Sequence, residues 1–112
     1  MTPEALAATQ AAYFGATGLW PLVHLRSFQA VTGPKHDRWL VLTVGALVCA
    51  VAAALALAAV DGVGRSDLVL AVGAALALLL VDVVFTARRV IARIYLGDAA
   101  IEAALIGAWL AV

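Results

Sequence analysis

From Trp39 to Val60 the chain runs 22 residues without a charged side chain. As a helix rising about 1.5 Å per residue, such a run is about 33 Å long and can cross a hydrocarbon core of about 30 Å. A second run follows Asp67 to Ala87, broken only by Asp82. The whole chain is 66% hydrophobic and 12% charged, with a mean hydropathy of +1.09. A soluble domain is about 45–50% apolar and about 25% charged. The excess is too large for a water-facing surface, so lipid is the expected solvent. The expected fold class is all-α, an integral membrane four-helix bundle in one domain spanning residues 1–112.

Four spans are expected, at about 4–25, 39–60, 67–87 and 96–112. Thr2-Pro3-Glu4 reads as a helix start, with Thr as N-cap, Pro in the first turn and Glu at the positive helix end. No Lys or Arg precedes Arg26, so the first run lacks the basic n-region of a secretory leader and is expected to be retained. Pro21 removes a backbone hydrogen bond and is expected to kink this helix. Asp37, Ser66 and Asp98 read as N-caps of the later helices. From Ala99 to Val112 there are only 14 residues, about 21 Å. The last helix must begin within 90–96, or the bilayer must thin there.

Two basic loops, 26–38 and 88–95, hold six of the seven Lys and Arg residues; Arg65 is the seventh. By the positive-inside rule both loops are cytoplasmic. The expected location is therefore a bacterial cytoplasmic membrane, with both termini outside. The expected partners are membrane lipid and further copies of the chain. Ala99, Ala103, Gly107 and Ala111 form a small-residue stripe at spacing four, suited to close helix approach between copies. Ala46, Ala50, Ala54 and Ala58 form another on the second span. Zero net charge gives nucleic-acid binding no electrostatic support. The single Cys49 cannot form an intrachain disulfide.

The first span is the least uniform. Gln10, Thr17 and His24 recur at spacing seven, and Tyr13, Trp20 and Ser27 repeat the pattern three residues on. This a/d-like stripe should face protein, because polar groups in lipid need partners. The four-span topology brings His24 and Arg26 toward Asp82, Asp98 and Glu102 in the cytoplasmic third. Asp98 and Glu102 lie one helical turn apart. Ionisable groups at such depth pair with one another or serve function. Asp82 or Glu102 is expected to pair with Arg26, Arg89 or His24.

The candidate ligand- or proton-binding residues are thus His24, Arg26, Asp82, Asp98, Glu102, Gln10, Thr17 and Trp20. A structural polar cluster that only fixes helix packing is the leading reading of these residues taken alone. Proton-linked exchange ranks next, since like-charged carboxyls one turn apart can hold a proton between them. Divalent-metal binding by His24, Asp82, Asp98 and Glu102 fits in ligand type but not in spacing, because no His-x-x-x-His, Glu-x-x-His or Cys-x-x-Cys occurs. Haem ligation by His24 across a dimer ranks last. No cofactor is the leading expectation. No nucleophile–base arrangement or phosphate loop occurs, so an enzyme reading, left open, has no positive support beyond the polar cluster itself. The two function classes are a small ion- or proton-coupled transport or ligand-binding protein, and a non-catalytic accessory module.

The segment Gly18-Leu19-Trp20-Pro21-Leu22-Val23-His24, followed by Thr32-Gly33-Pro34-Lys35, resembles a motif of small four-helix bacterial membrane proteins. That resemblance implies the fold and no activity. In size and span number the chain is also similar to small multidrug-resistance transporters, which carry a glutamate in the first span. Here the first span has Gln10 and Thr17 instead, and Glu102 is in the last, so drug export is not implied.

Overall fold

A computed structural model describes all of residues 1–112 and contains five helices and no strand. They are α1 (Pro3–Val23), α2 (Leu25–Thr32), α3 (Arg38–Asp61), α4 (Arg65–Ala87) and α5 (Tyr95–Ala111). The fifth is α2, which lies in the segment expected to be a loop. Its N-cap is His24, whose side chain accepts from the Ser27 backbone N–H. The backbone breaks at His24 itself (φ −147°, ψ 77°), three residues after Pro21. The expected bend at Pro21 is thus completed as a break between two helices.

Other local expectations shift by a few residues. Thr2 caps α1 as read, accepting from Ala5 N at 3.0 Å. Asp37 stands at the N-cap position of α3 but makes no side-chain cap bond. The N-cap of α4 is Gly64 rather than Ser66, and Asp67 Oδ2 accepts from Gly64 N at 2.9 Å. α5 starts at Tyr95, so Asp98 lies in its first turn instead of capping it. Its 17 residues give about 25 Å.

α1 packs along α3, α4 packs along α5, and the two pairs meet through α3·α4 and α1·α5 contacts. The α1–α3 crossing is backbone against backbone. A Cβ on Gly18 would lie 2.9 Å from Gly45 O, and one on Gly45 would lie 2.8 Å from Gly18 O and 3.1 Å from Pro21 Cγ. Only glycine permits that approach. The packed face of α3 is therefore Gly45, Ala52, Leu55 and Ala58. In the expected Ala46/Ala50/Ala54/Ala58 stripe only Ala58 is buried, and Ala46 and Ala50 are exposed.

The molecule measures 39 × 27 × 18 Å, two helix diameters thick at its thinnest. Only 18 of 112 residues are buried, so most apolar side chains point outward. Two helices, α3 and α4, are long and apolar enough to cross a membrane, and in each the most apolar window is only 17% buried. Core helices of soluble proteins bury far more of such a surface.

α4 ends in a Schellman motif. Val90 N donates to Phe85 O at 2.8 Å and Arg89 N to Thr86 O at 3.0 Å. The left-handed position falls on Arg89 (φ 60°), where glycine is usual. A side chain there costs about 1 kcal/mol.

Candidate functional site

Two polar assemblies occupy the space between the helix pairs. The first centres on Gln10, which is fully buried on α1. Its Nε2 donates to Ala71 O of α4 at 2.9 Å, and its Oε1 accepts from Trp109 Nε1 of α5 at 2.6 Å. One amide thus ties three helices with both ends satisfied. Around it lie Leu6, Ala7, Phe14, Leu55, Ala71 and Leu105, all in the apolar core.

The second assembly is acidic. Asp82 projects from the packed face of α4, on the same side as Ala71 and Ala75 and about two turns beyond Ala75. Glu102 projects from the packed face of α5, between Ala99 and Leu105. The hairpin connection between α4 and α5 sets both at similar depth. Asp82 lies five residues before the end of α4 and Glu102 seven after the start of α5, roughly 8–10 Å from the helix ends. Asp98 lies between them, within reach of both carboxyls. Tyr13, half-buried on α1, donates its hydroxyl to Asp98 Oδ1.

This group is not internally satisfied. Asp82 Oδ2 and both oxygens of Glu102 are buried without a hydrogen-bond partner. Thr86, one turn beyond Asp82, also has a buried hydroxyl with no partner. Ionised carboxylates only accept hydrogen bonds, so three of them cannot satisfy one another. The one phenolic donor in reach, Tyr13, is used on Asp98. The expected pairing of Asp82 or Glu102 with Arg26, Arg89 or His24 is not formed. Arg26 and Arg89 are exposed, and His24 is exposed with its Nδ1 turned to Ser27 Oγ at 2.7 Å.

The sequence candidates therefore divide. Asp82, Asp98 and Glu102 come together. Gln10 lies in the separate tie. Thr17 Oγ1 back-bonds to Tyr13 O at 3.0 Å, and Trp20 Nε1 donates to Ser27 Oγ at 2.8 Å. With His24, Trp20 and Ser27 form a junction that holds α2 on α1, reinforced by the edge-to-face Trp20–Phe28 pair at 5.4 Å. No three His, Cys, Asp or Glu side chains converge in an arrangement that could hold a metal ion.

Tyr13, Thr86 and Trp109 belong to these assemblies but were not among the sequence candidates. Tyr13 was readable from its place in the α1 stripe, and Thr86 from its position one turn after Asp82. Trp109 had no signal of its own, because nothing in α5 alone says that its indole meets an amide on α1. No protein-family model matches the chain, and no curated protein or solved structure is significantly similar to it.

Proposed function

We propose that the chain is a four-span membrane protein, with α1, α3, α4 and α5 crossing the bilayer, and that Asp82, Asp98 and Glu102 form an ion-coupling site. The observation that carries this reading is Glu102, fully buried with neither oxygen hydrogen-bonded. An unpaired charge at depth costs roughly 2.5–3.5 kcal/mol on insertion scales. Such a group survives where something mobile completes it. A proton does so most economically. A protonated carboxyl donates to its neighbour, which supplies the donor that the cluster lacks. Release of that proton returns the charge, and no covalent bond is made or broken. Tyr13 holds Asp98 in place between Asp82 and Glu102, so the proton can pass from either of them through it.

The membrane reading draws support from the outward apolar surface of α3 and α4 and from the meeting of both basic loops at one end, where Gly33 approaches Ala92. By the positive-inside rule that end is cytoplasmic, the carboxyls lie in the cytoplasmic third, and the termini are outside. Homo-oligomer formation fits the thin bundle. Of the expected stripe, Ala99 is buried within the protomer and is no part of such an interface, whereas Ala103, Gly107 and Ala111 are exposed, and a Cβ on Gly107 would meet nothing within 4 Å. Gly107→Leu should keep the protomer fold and lose cross-linked dimer in vesicles; an unchanged dimer yield would reject this interface.

The competing reading is an accessory module whose polar groups serve only packing, and the satisfied Gln10 tie favours it. Reaction with an apolar carbodiimide separates the two, because that reagent modifies carboxylic acids and not carboxylates. In lipid vesicles, labelling mapped by mass spectrometry should fall on Glu102 or Asp82 and fade as the pH is raised. A folded protein that takes no label at either residue at any pH would sink the ion-coupling reading.

A further inference from the structure

A separate polar feature lies at the basic end. The turn after α2 and the turn after α4 enclose a cleft of about 280 Å³, lined by 32–35 on one side and 89–92 on the other. No acidic residue lines it, and two cations do, Lys35 and Arg89. Lys35 is not a free tether. Its Nζ donates to Thr32 O at 3.1 Å, Thr32 Oγ1 at 3.2 Å and Gly33 O at 2.9 Å. It also sits over the Phe28 and Tyr95 rings, 5.8 and 5.2 Å from their centroids. The ammonium is pinned at the cleft wall with its charge uncompensated by any carboxylate.

Arg89 is the only non-glycine residue with positive φ, and it occupies the one position of its turn where glycine would relieve the backbone. Its exposed guanidinium makes no bond within the chain. A strained cation across a cleft from a pinned cation is a pairing that packing does not require. Two of the residues that line it, Lys35 and Ala92, have backbone N–H groups with no acceptor in the chain. Val90, which lines it, has an exposed apolar side chain, and Ile94, two residues past the lining segment, is exposed as well. Cations and free amides around a small cleft beside apolar surface fit a phosphate whose other substituent is lipid.

We infer that the Lys35/Arg89 cleft binds the phosphate of an anionic phospholipid headgroup at the cytoplasmic surface. The lipid source rests on the four-span reading; the cation pair and cleft do not. Arg89 supplies the bidentate contact and Lys35 the fixed charge.

The test is thermal unfolding of the full chain in vesicles of zwitterionic phospholipid, with and without added anionic phospholipid. Anionic lipid should raise the midpoint of the wild type, and Arg89→Gln should lose most of that shift. Arg65→Gln, which removes the arginine at the opposite end, should keep it. Arg89→Gly gives an independent reading. It should be more stable than wild type in zwitterionic vesicles, because the turn is relieved, and yet gain least from anionic lipid. A full shift in both Arg89 variants would overturn the site. An equal shift of the wild type with inorganic phosphate in zwitterionic vesicles would identify a soluble phosphate as the occupant and overturn the lipid assignment. Failure of the protein to insert in either vesicle would instead break the membrane reading, a result distinct from insertion without lipid selectivity.

Discussion

Gln10 and Glu102 are both polar, both fully buried and both set between the same helices, yet they are opposite in kind. Gln10 has a donor end and an acceptor end, and each finds one partner on another helix. Glu102 has two acceptor ends and finds none. The amide completes its own bonding and resists change. The carboxyl requires something the chain does not supply. A buried polar group that is fully satisfied reads as architecture, and one left open among like groups reads as a place for a mobile partner. Both were drawn from one stripe-and-cluster pattern in the sequence, and bonding rather than burial separates them.

The largest effect should come from breaking this contrast at Glu102. Glu102→Gln keeps the shape but cannot exchange a proton. It should abolish carbodiimide labelling at position 102 and proton exchange in vesicles, while leaving a folded protein by circular dichroism. Stability should then move in opposite directions at the two positions. Gln10→Leu leaves the Trp109 indole N–H and the Ala71 carbonyl unpaired and should cost about 1–3 kcal/mol in reversible unfolding. Glu102→Leu removes two unpaired acceptors from an apolar setting and should raise the unfolding midpoint by the equivalent of about 1 kcal/mol. If Glu102→Leu destabilises as much as Gln10→Leu, the carboxyl is a packing element and the contrast collapses.

How far this was legible in the sequence follows from the range of each interaction. The helices were legible, because length and composition fix them. The gathering of Asp82, Asp98 and Glu102 was legible too, because a hairpin between α4 and α5 brings residues equidistant from the turn to one depth. The α2 helix was hidden because Pro21 and Gly33 punctuate both its sides, and its cap, His24, resembles a ligand as readily as a capping residue. Arg26 and His24 were assigned to the acids on depth alone, and depth says nothing about which way a side chain turns. The Gly18–Gly45 crossing was equally out of reach, since each glycine is unremarked in its own helix and matters only against the other. Alanine stripes, abundant in such a chain, point to contact faces that do not all exist.

The subtlest difference between the two assemblies lies at Tyr13, the one residue that gives the acidic group any support. Its hydroxyl is the only donor from the chain that a cluster carboxylate receives. Tyr13→Phe deletes a single oxygen and leaves the ring against Phe14, 6.3 Å between centroids. If Asp98 is held for packing, its loss should resemble that of any buried hydrogen bond, about 0.5–1.5 kcal/mol, with no change at Glu102. If Tyr13 fixes Asp98 as the relay between Asp82 and Glu102, the same deletion leaves that acceptor free to keep the proton itself. Stability should fall by no more than that amount, while the pH dependence of carbodiimide labelling at Glu102 shifts along the pH axis. A stability loss with an unmoved labelling profile would return Tyr13 and Asp98 to the architectural side.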